Sequence, residues 1–252
     1  MYLKRNKHYL LSAALIAGAI LSVPVAQAST SFTSSALLTY TINSITNNNS
    51  EHPLDLSGLE ISAYFDQSIE STYFYATTTG DGAVVANNPS VSLATITDTF
   101  SHDFSVNGSA TNGSVDSLHT GLYGLMFNNI GTDSYAVNVS LGYQLASAVN
   151  GLLAINSIAV DYYTVNSNLS GYASVGSFTS EDALSDTQTL NNLFAPIAFT
   201  VAAGDIEHFA ANVAVMGSIE ASAVPLPAAT WLFLSGLIAL LGFNKRKLVV
   251  GA

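Results

Sequence analysis

From Tyr135 to Leu145 every second residue is large and apolar. Tyr135, Val137, Val139, Leu141, Tyr143 and Leu145 alternate with Ala136, Asn138, Ser140, Gly142 and Gln144. A period of two is that of a strand with one buried and one wet face. The same alternation sets Leu59, Ile61, Ala63 and Phe65 against Glu60, Ser62 and Tyr64. It sets Phe100, His102, Phe104 and Val106 against Ser101, Asp103 and Ser105, and Phe209, Ala211, Val213 and Val215 against His208, Asn212 and Ala214.

Turn residues punctuate these runs: Gly80-Asp81-Gly82, Asn87-Asn88-Pro89, Asn107-Gly108, Asn112-Gly113, Gly131-Thr132-Asp133, Asn150-Gly151 and Ala203-Gly204-Asp205. Asn47 to Pro53 reads as a polar loop. About ten to twelve short strands so punctuated predict an all-β fold, an antiparallel β-sandwich of jelly-roll type, over residues 29–222. One helix is expected before the C-terminal tail, from Glu181 to Asn192. Ser180 would cap it, and acidic residues fill its first turn.

Two further apolar stretches do not alternate. Leu10 to Val23 follows Lys4, Arg5 and Lys7 and precedes Ala26-Gln27-Ala28. A basic start, an apolar middle and a small-x-small site make residues 1–28 a secretory signal peptide, cut by signal peptidase before Ser29. The competing possibility is an uncleaved anchor. Ala228 to Phe243 has 16 residues without a charge and ends on Lys245, Arg246 and Lys247. As a helix this run spans about 24 Å, and counting from Val224 brings it close to a ~30 Å hydrocarbon core. Trp231 suits the interface, and the basic triplet would stay cytoplasmic as a membrane stop. A permanent inner-membrane anchor, a buried core helix and a sorting signal all remain open on this pattern alone.

Charge sharpens the picture. All six Lys and Arg lie in the two end segments, and all 17 Asp and Glu lie between Glu51 and Glu220. A body so acidic and free of cations repels phosphate backbones, so no nucleic-acid partner is expected. There is no cysteine, which excludes disulfides, thiolate metal sites and Cys nucleophiles.

Candidate chemistry is sparse. Gly171 to Gly176 places Ser174 in a strand-like run without the spacing of a nucleophile elbow. Glu181-Asp182 and Asp205-Ile206-Glu207 are the densest acids and read as solvated loops rather than a hydrolase pair. His102 beside Asp103, and His208 beside Glu207, lack zinc spacing, and His102 lies on an apolar face. Calcium is the one ion these loops would suit, through Asp81, Asp98, Asp116 or Asp133, with no ligand set named. No other cofactor is expected. The 12 Tyr would serve either a sugar-stacking groove or the core.

The tail carries one resemblance. Val224-Pro225-Leu226-Pro227-Ala228, Trp231-Leu232-Phe233, Ser235-Gly236-Leu237, Gly242 and Lys245-Arg246-Lys247 together resemble the VPLPA variant of the PEP-CTERM sorting domain, over residues 224–247. The resemblance implies an exosortase, a membrane protease or transpeptidase, acting on Val224 to Ala228. It also implies a Gram-negative host that makes exopolysaccharide or biofilm matrix. Leu248 to Ala252 extends past the basic cluster, where such tails usually stop. The expected protein is a non-enzymatic surface or matrix protein, held transiently in the inner membrane. The alternatives are a carbohydrate- or calcium-binding module and a secreted hydrolase.

Overall fold

The computed structural model describes residues 29–65, 74–87, 99–222 and 235. Within them the chain forms twelve strands and no helical element. In chain order these are β1 (Thr30–Asn47), β2 (Leu59–Phe65), β3 (Phe74–Gly80), β4 (Ala83–Asn87), β5 (Thr99–Ala110), β6 (Gly113–Asn129), β7 (Tyr135–Asn150), β8 (Ala154–Thr164), β9 (Ser170–Phe178), β10 (Ser185–Leu193), β11 (Ile197–Val201) and β12 (Ile206–Ala221).

Two antiparallel sheets result. The first runs β10-β7-β1-β5-β4, with β11 also paired to β7. The second runs β2-β6-β12-β8-β9, with β3 also paired to β6. Two short strands thus share one long neighbour in each sheet. β11 and β10 lie along Tyr135–Val139 and Gly142–Asn150 of β7, and β3 and β2 along Gly113–His119 and Tyr123–Asn129 of β6. β1 carries a bulge against β7 between Ile42 and Ser44. The extra residue, Asn43, bonds through its side chain to Asn138 and Ser140.

The alternation decides which face is buried. On β7, Tyr135, Val137, Val139, Leu141, Tyr143 and Leu145 all point inward and are buried. They join inward residues of both sheets in one apolar cluster, so the arrangement is sandwich-like. Aromatic rings bridge the layers: Tyr40 of β1 meets Phe209 of β12 edge-on at 5.6 Å, and Phe127 of β6 meets Phe199 of β11 at 5.3 Å. The Tyr40 hydroxyl donates to the carbonyl of Tyr123 across the interior at 3.0 Å.

The interior also holds a polar seam. Asn156 of β8 accepts from the Ser34 hydroxyl of β1 and donates to the Thr33 carbonyl, both at 2.8 Å. Its amide also donates to the Ser147 hydroxyl of β7, which lies 2.7 Å from that of Ser177 of β9. Four strands from two sheets meet at one buried side chain with no formal charge. Every polar group in it has a partner, which is the condition for burying it without a large penalty.

Two expectations fail. Residues 181–192 do not form a helix: Thr179 to Leu184 is a loop, and Ser185–Leu193 is strand β10. β10 pairs in register with β7, from Ser185 opposite Asn150 to Leu193 opposite Gly142. The free backbone groups of β7 outweigh the local capping signal. Asn107-Gly108 is not a turn but lies inside β5. Gly108 is there for close approach: a Cβ would sit 2.1 Å from the Phe32 ring, and one on Gly217 of the opposite sheet 2.3 Å from it. Phe32 is thus clasped by two glycines, one from each sheet.

That clasp predicts the effect of two substitutions. Gly217→Ala forces the buried Phe32 ring to move and should cost about 1–3 kcal/mol in chemical denaturation. Gly142→Ala, whose nearest neighbours are at ordinary contact distance, should stay within about 0.5 kcal/mol. Equal losses at both sites would contradict the packing described.

Candidate functional site

The carboxylates come first, because the body from Ser29 to Gly242 has no Lys or Arg of its own to pair with them. Glu207 was expected in a solvated loop, yet only 1 % of it is exposed. It begins β12 pointing inward, and its carboxylate accepts from the backbone N–H of Val165, Asn166, Ser167 and His208 and from the Ser167 hydroxyl, at 2.7–3.0 Å. It fastens the β8–β9 turn to the start of β12. Five protein donors leave it a structural anchor rather than a catalytic acid. Asp205 lies in the preceding turn, and its carbonyl accepts from the N–H of Asn129.

The proposed calcium loops are built the same way. Asp81 accepts from the backbone N–H of Thr111 and Asn112 and from the Thr111 hydroxyl, which hold its carboxyl down at about 2. Asp133 accepts from the side-chain amides of Asn47 and Asn49. Asp116 is exposed, with the Tyr75 hydroxyl 3.4 Å away. Asp98 lies outside the described residues. Among the described residues no three His, Cys, Asp or Glu gather as a metal site. Asp81 and Asp133 cap their loops through these hydrogen bonds.

His102 is buried among rings: Phe100 at 4.2 Å, Tyr123 at 4.8 Å and Tyr40 at 6.4 Å between centroids. Its Nε2 has no hydrogen-bond partner among the described residues. Ser174 stands exposed on β9. The structure separates it from both buried histidines, which project into the interior from β5 and β6. Tyr40, Tyr123, Tyr135 and Tyr143 are core residues, and Tyr75 and Tyr172 are exposed on the second sheet.

A depression that brings several unbonded polar side chains together with apolar ones lies on the outer face of the first sheet. It is an open cleft of about 490 Å³ across β5, β1, β7 and β10. Register places its side chains in rows. Ser105, Ser35, Ala146 and Thr189 form one row, and Asp103, Leu37, Gln144 and Asn191 the next. The neighbouring outward row is closed by a Thr39–Ser101 contact, and further along Asn43 bonds Asn138. In the cleft, by contrast, the side chains of Ser35, Ser105, Gln144, Thr189 and Asn191 bond to no other protein group among the described residues. Sequence reasoning missed them because the outward positions of a strand read only as solvated. Their signal is visible in the register alone, once the order of the strands is known.

Ser29 is exposed, one residue before β1. The other positions assigned to processing lie outside the described residues: Ala26 and Ala28, Val224 to Ala228, and Lys245 to Lys247. The expected span 228–243 lies outside them too, apart from Ser235. Among the described residues no helix is long and apolar enough to cross a membrane. No protein-family model matches this sequence, and no curated protein matches it.

His102 generates a pH prediction. Burial pushes its pKa down from 6.5 to about 4, with Asp103 opposing in part. The native imidazole therefore stays neutral where the unfolded one takes a proton. Its contribution is complete above 6.5 and is lost as pH falls toward about 4. Burial also lowers His119, and it raises Asp161, which works in the opposite sense. Thermal melts from about pH 7 to about pH 4.5 should fall less steeply for His102→Phe than for the parent. Parallel slopes would mean that His102 takes its proton in the folded protein.

Proposed function

We propose that the chain is an exported, non-enzymatic cell-surface or extracellular-matrix protein. Its β body is delivered by an N-terminal signal and a C-terminal sorting tail. The observation that carries this reading is where the body begins and ends. β1 starts at Thr30, one residue after the expected signal cleavage before Ser29, and β12 ends at Ala221, three residues before Val224. Cutting at either place leaves all twelve strands of the described residues whole. The first and last strands also meet: the Thr30 hydroxyl donates to the Glu220 carbonyl at 3.3 Å.

On this account signal peptidase acts at Ala26-Gln27-Ala28, and an exosortase-type membrane enzyme acts at Val224 to Ala228. The run 228–243 holds the chain transiently in the inner membrane, with Lys245, Arg246 and Lys247 as its stop. The Gram-negative host and the exopolysaccharide setting follow from the resemblance of the tail.

The finer fold assignment belongs to the same proposal. We read the body as a jelly roll in which the first strand of the chain fills a central place. The orders β5-β1-β7-β10 and β6-β12-β8-β9 support it. With β1 taken as the closing strand, they are the neighbour orders of the two four-stranded sheets of a jelly roll. β2, β3 and β4 are then additions along its edge, and β11 shares with β10 the place beside β7.

Intact-mass measurement of the protein recovered from its native host tests the processing. The expected product starts at Ser29 and ends between Val224 and Ala228. A product that retains Lys245 to Lys247 would mean a permanent anchor and would overturn the matrix assignment.

A further inference from the structure

We infer that the outer cleft of the first sheet binds a neutral, hydroxyl-rich chain, a polysaccharide strand lying across β5, β1, β7 and β10. Four features point there, and the first is the stock of hydrogen-bonding groups. Gln144 and Asn191 each present an amide with two donor protons and an acceptor oxygen, and Ser35, Ser105 and Thr189 present hydroxyls. None of these five side chains bonds to another protein group among the described residues. Each is therefore positioned by a strand yet satisfied only by water, which the hydroxyls of a sugar can replace at little cost.

The second feature is electrostatic. The cleft holds one carboxylate, Asp103, and the body from Ser29 to Gly242 has no Lys or Arg to offset it. A phosphate, sulfate or uronate would meet repulsion with no counter-charge. A neutral polyol meets instead an acceptor able to take hydrogen bonds from its hydroxyls.

Shape supplies the third. The lining residues come from four successive strands and extend about 14 Å across the sheet from β5 to β10. Small Ser35 and Ala146 form the floor, and Leu37, one third exposed, gives an apolar contact for a ring face. A groove running across strands suits an extended chain better than a compact metabolite.

The fourth is what the cleft lacks. Its single aromatic, Phe104, points into the core and is buried. Without a stacking ring the affinity comes from hydrogen bonds, so single-site binding is weak. Retention in a matrix would then rest on many protein copies along one polymer.

The export proposal enters only in naming where the polysaccharide comes from. Titration calorimetry on the full-length chain in detergent, in calcium-free buffer, tests the cleft directly. Cellohexaose and isomaltohexaose serve as neutral probes and hexagalacturonate as the anionic one. At least one neutral probe should bind with Kd of roughly 0.1–1 mM. Gln144→Ala and Asn191→Ala should each weaken it roughly three- to tenfold. Gln188→Ala, on β10 with Asn191 but outside the cleft, should change nothing. All three positions are exposed, and melting curves confirm that the variants stay folded.

The inference is overturned if neither neutral probe binds, if the cleft variants bind as the parent does, or if hexagalacturonate binds more tightly than the neutral probes. Such a failure leaves the masses of the processed ends untouched. A permanent anchor, in turn, leaves the cleft chemistry untouched.

Discussion

The absence of Lys and Arg from Ser29 to Gly242 constrains the whole body. No carboxylate there can be neutralised by a Lys or Arg side chain of the body itself. Those the fold uses must be held by N–H and O–H groups. Glu207 takes four backbone donors and one hydroxyl, Asp81 takes two and one, and Asp55 takes the N–H of Ser57. Asn residues supply the rest. Asn129 donates to the carbonyls of Asp133, Val201 and Ala202, closing one end of the sandwich. Polar side chains tie loop to loop at sites where other proteins use ion pairs. The bonds are short-ranged and directional, so each fixes one loop geometry.

The same constraint shapes the interior and the outer faces. Where the sheets must be joined by polar atoms, neutral ones do it, through Asn156, Ser34, Ser147 and Ser177. The remaining cohesion is apolar and aromatic, centred on Phe32 between its two glycines and on Tyr40 against Phe209. On the outer face the absence of cations leaves hydroxyls, amides and one carboxylate to define the cleft. Its chemistry excludes anions by charge and favours a neutral partner by hydrogen bonding.

Much of this was legible in the sequence. The inward face of β7 and that of β12 from Phe209 onward follow directly from alternation, because burial on one face enforces a period of two. Fold class and most turns follow from the same signal. Glu181 to Asn192 misled because capping residues act locally, whereas β10 owes its form to β7, more than thirty residues earlier in the chain. Gly108 misled because glycine serves turns and close packing alike, and the Phe32 ring that explains it lies on another strand. Glu207 could not be placed because its five donors come from a turn some forty residues away as well as from its own neighbour. The cleft was invisible for a related reason. Ser35, Ser105, Gln144 and Asn191 are unremarkable alone and become a site only when four strands are set in register.

The salt dependence of stability tests the central constraint most directly. A body held by neutral contacts and N–H-capped carboxylates carries only like charges at neutral pH. Added salt screens their repulsion and breaks no ion pair. Melting of the purified protein should therefore hold steady or rise in temperature from about 20 mM to about 500 mM sodium chloride. A clear fall in melting temperature over that range would mean that attractive charge pairs sustain the fold, and it would contradict this account.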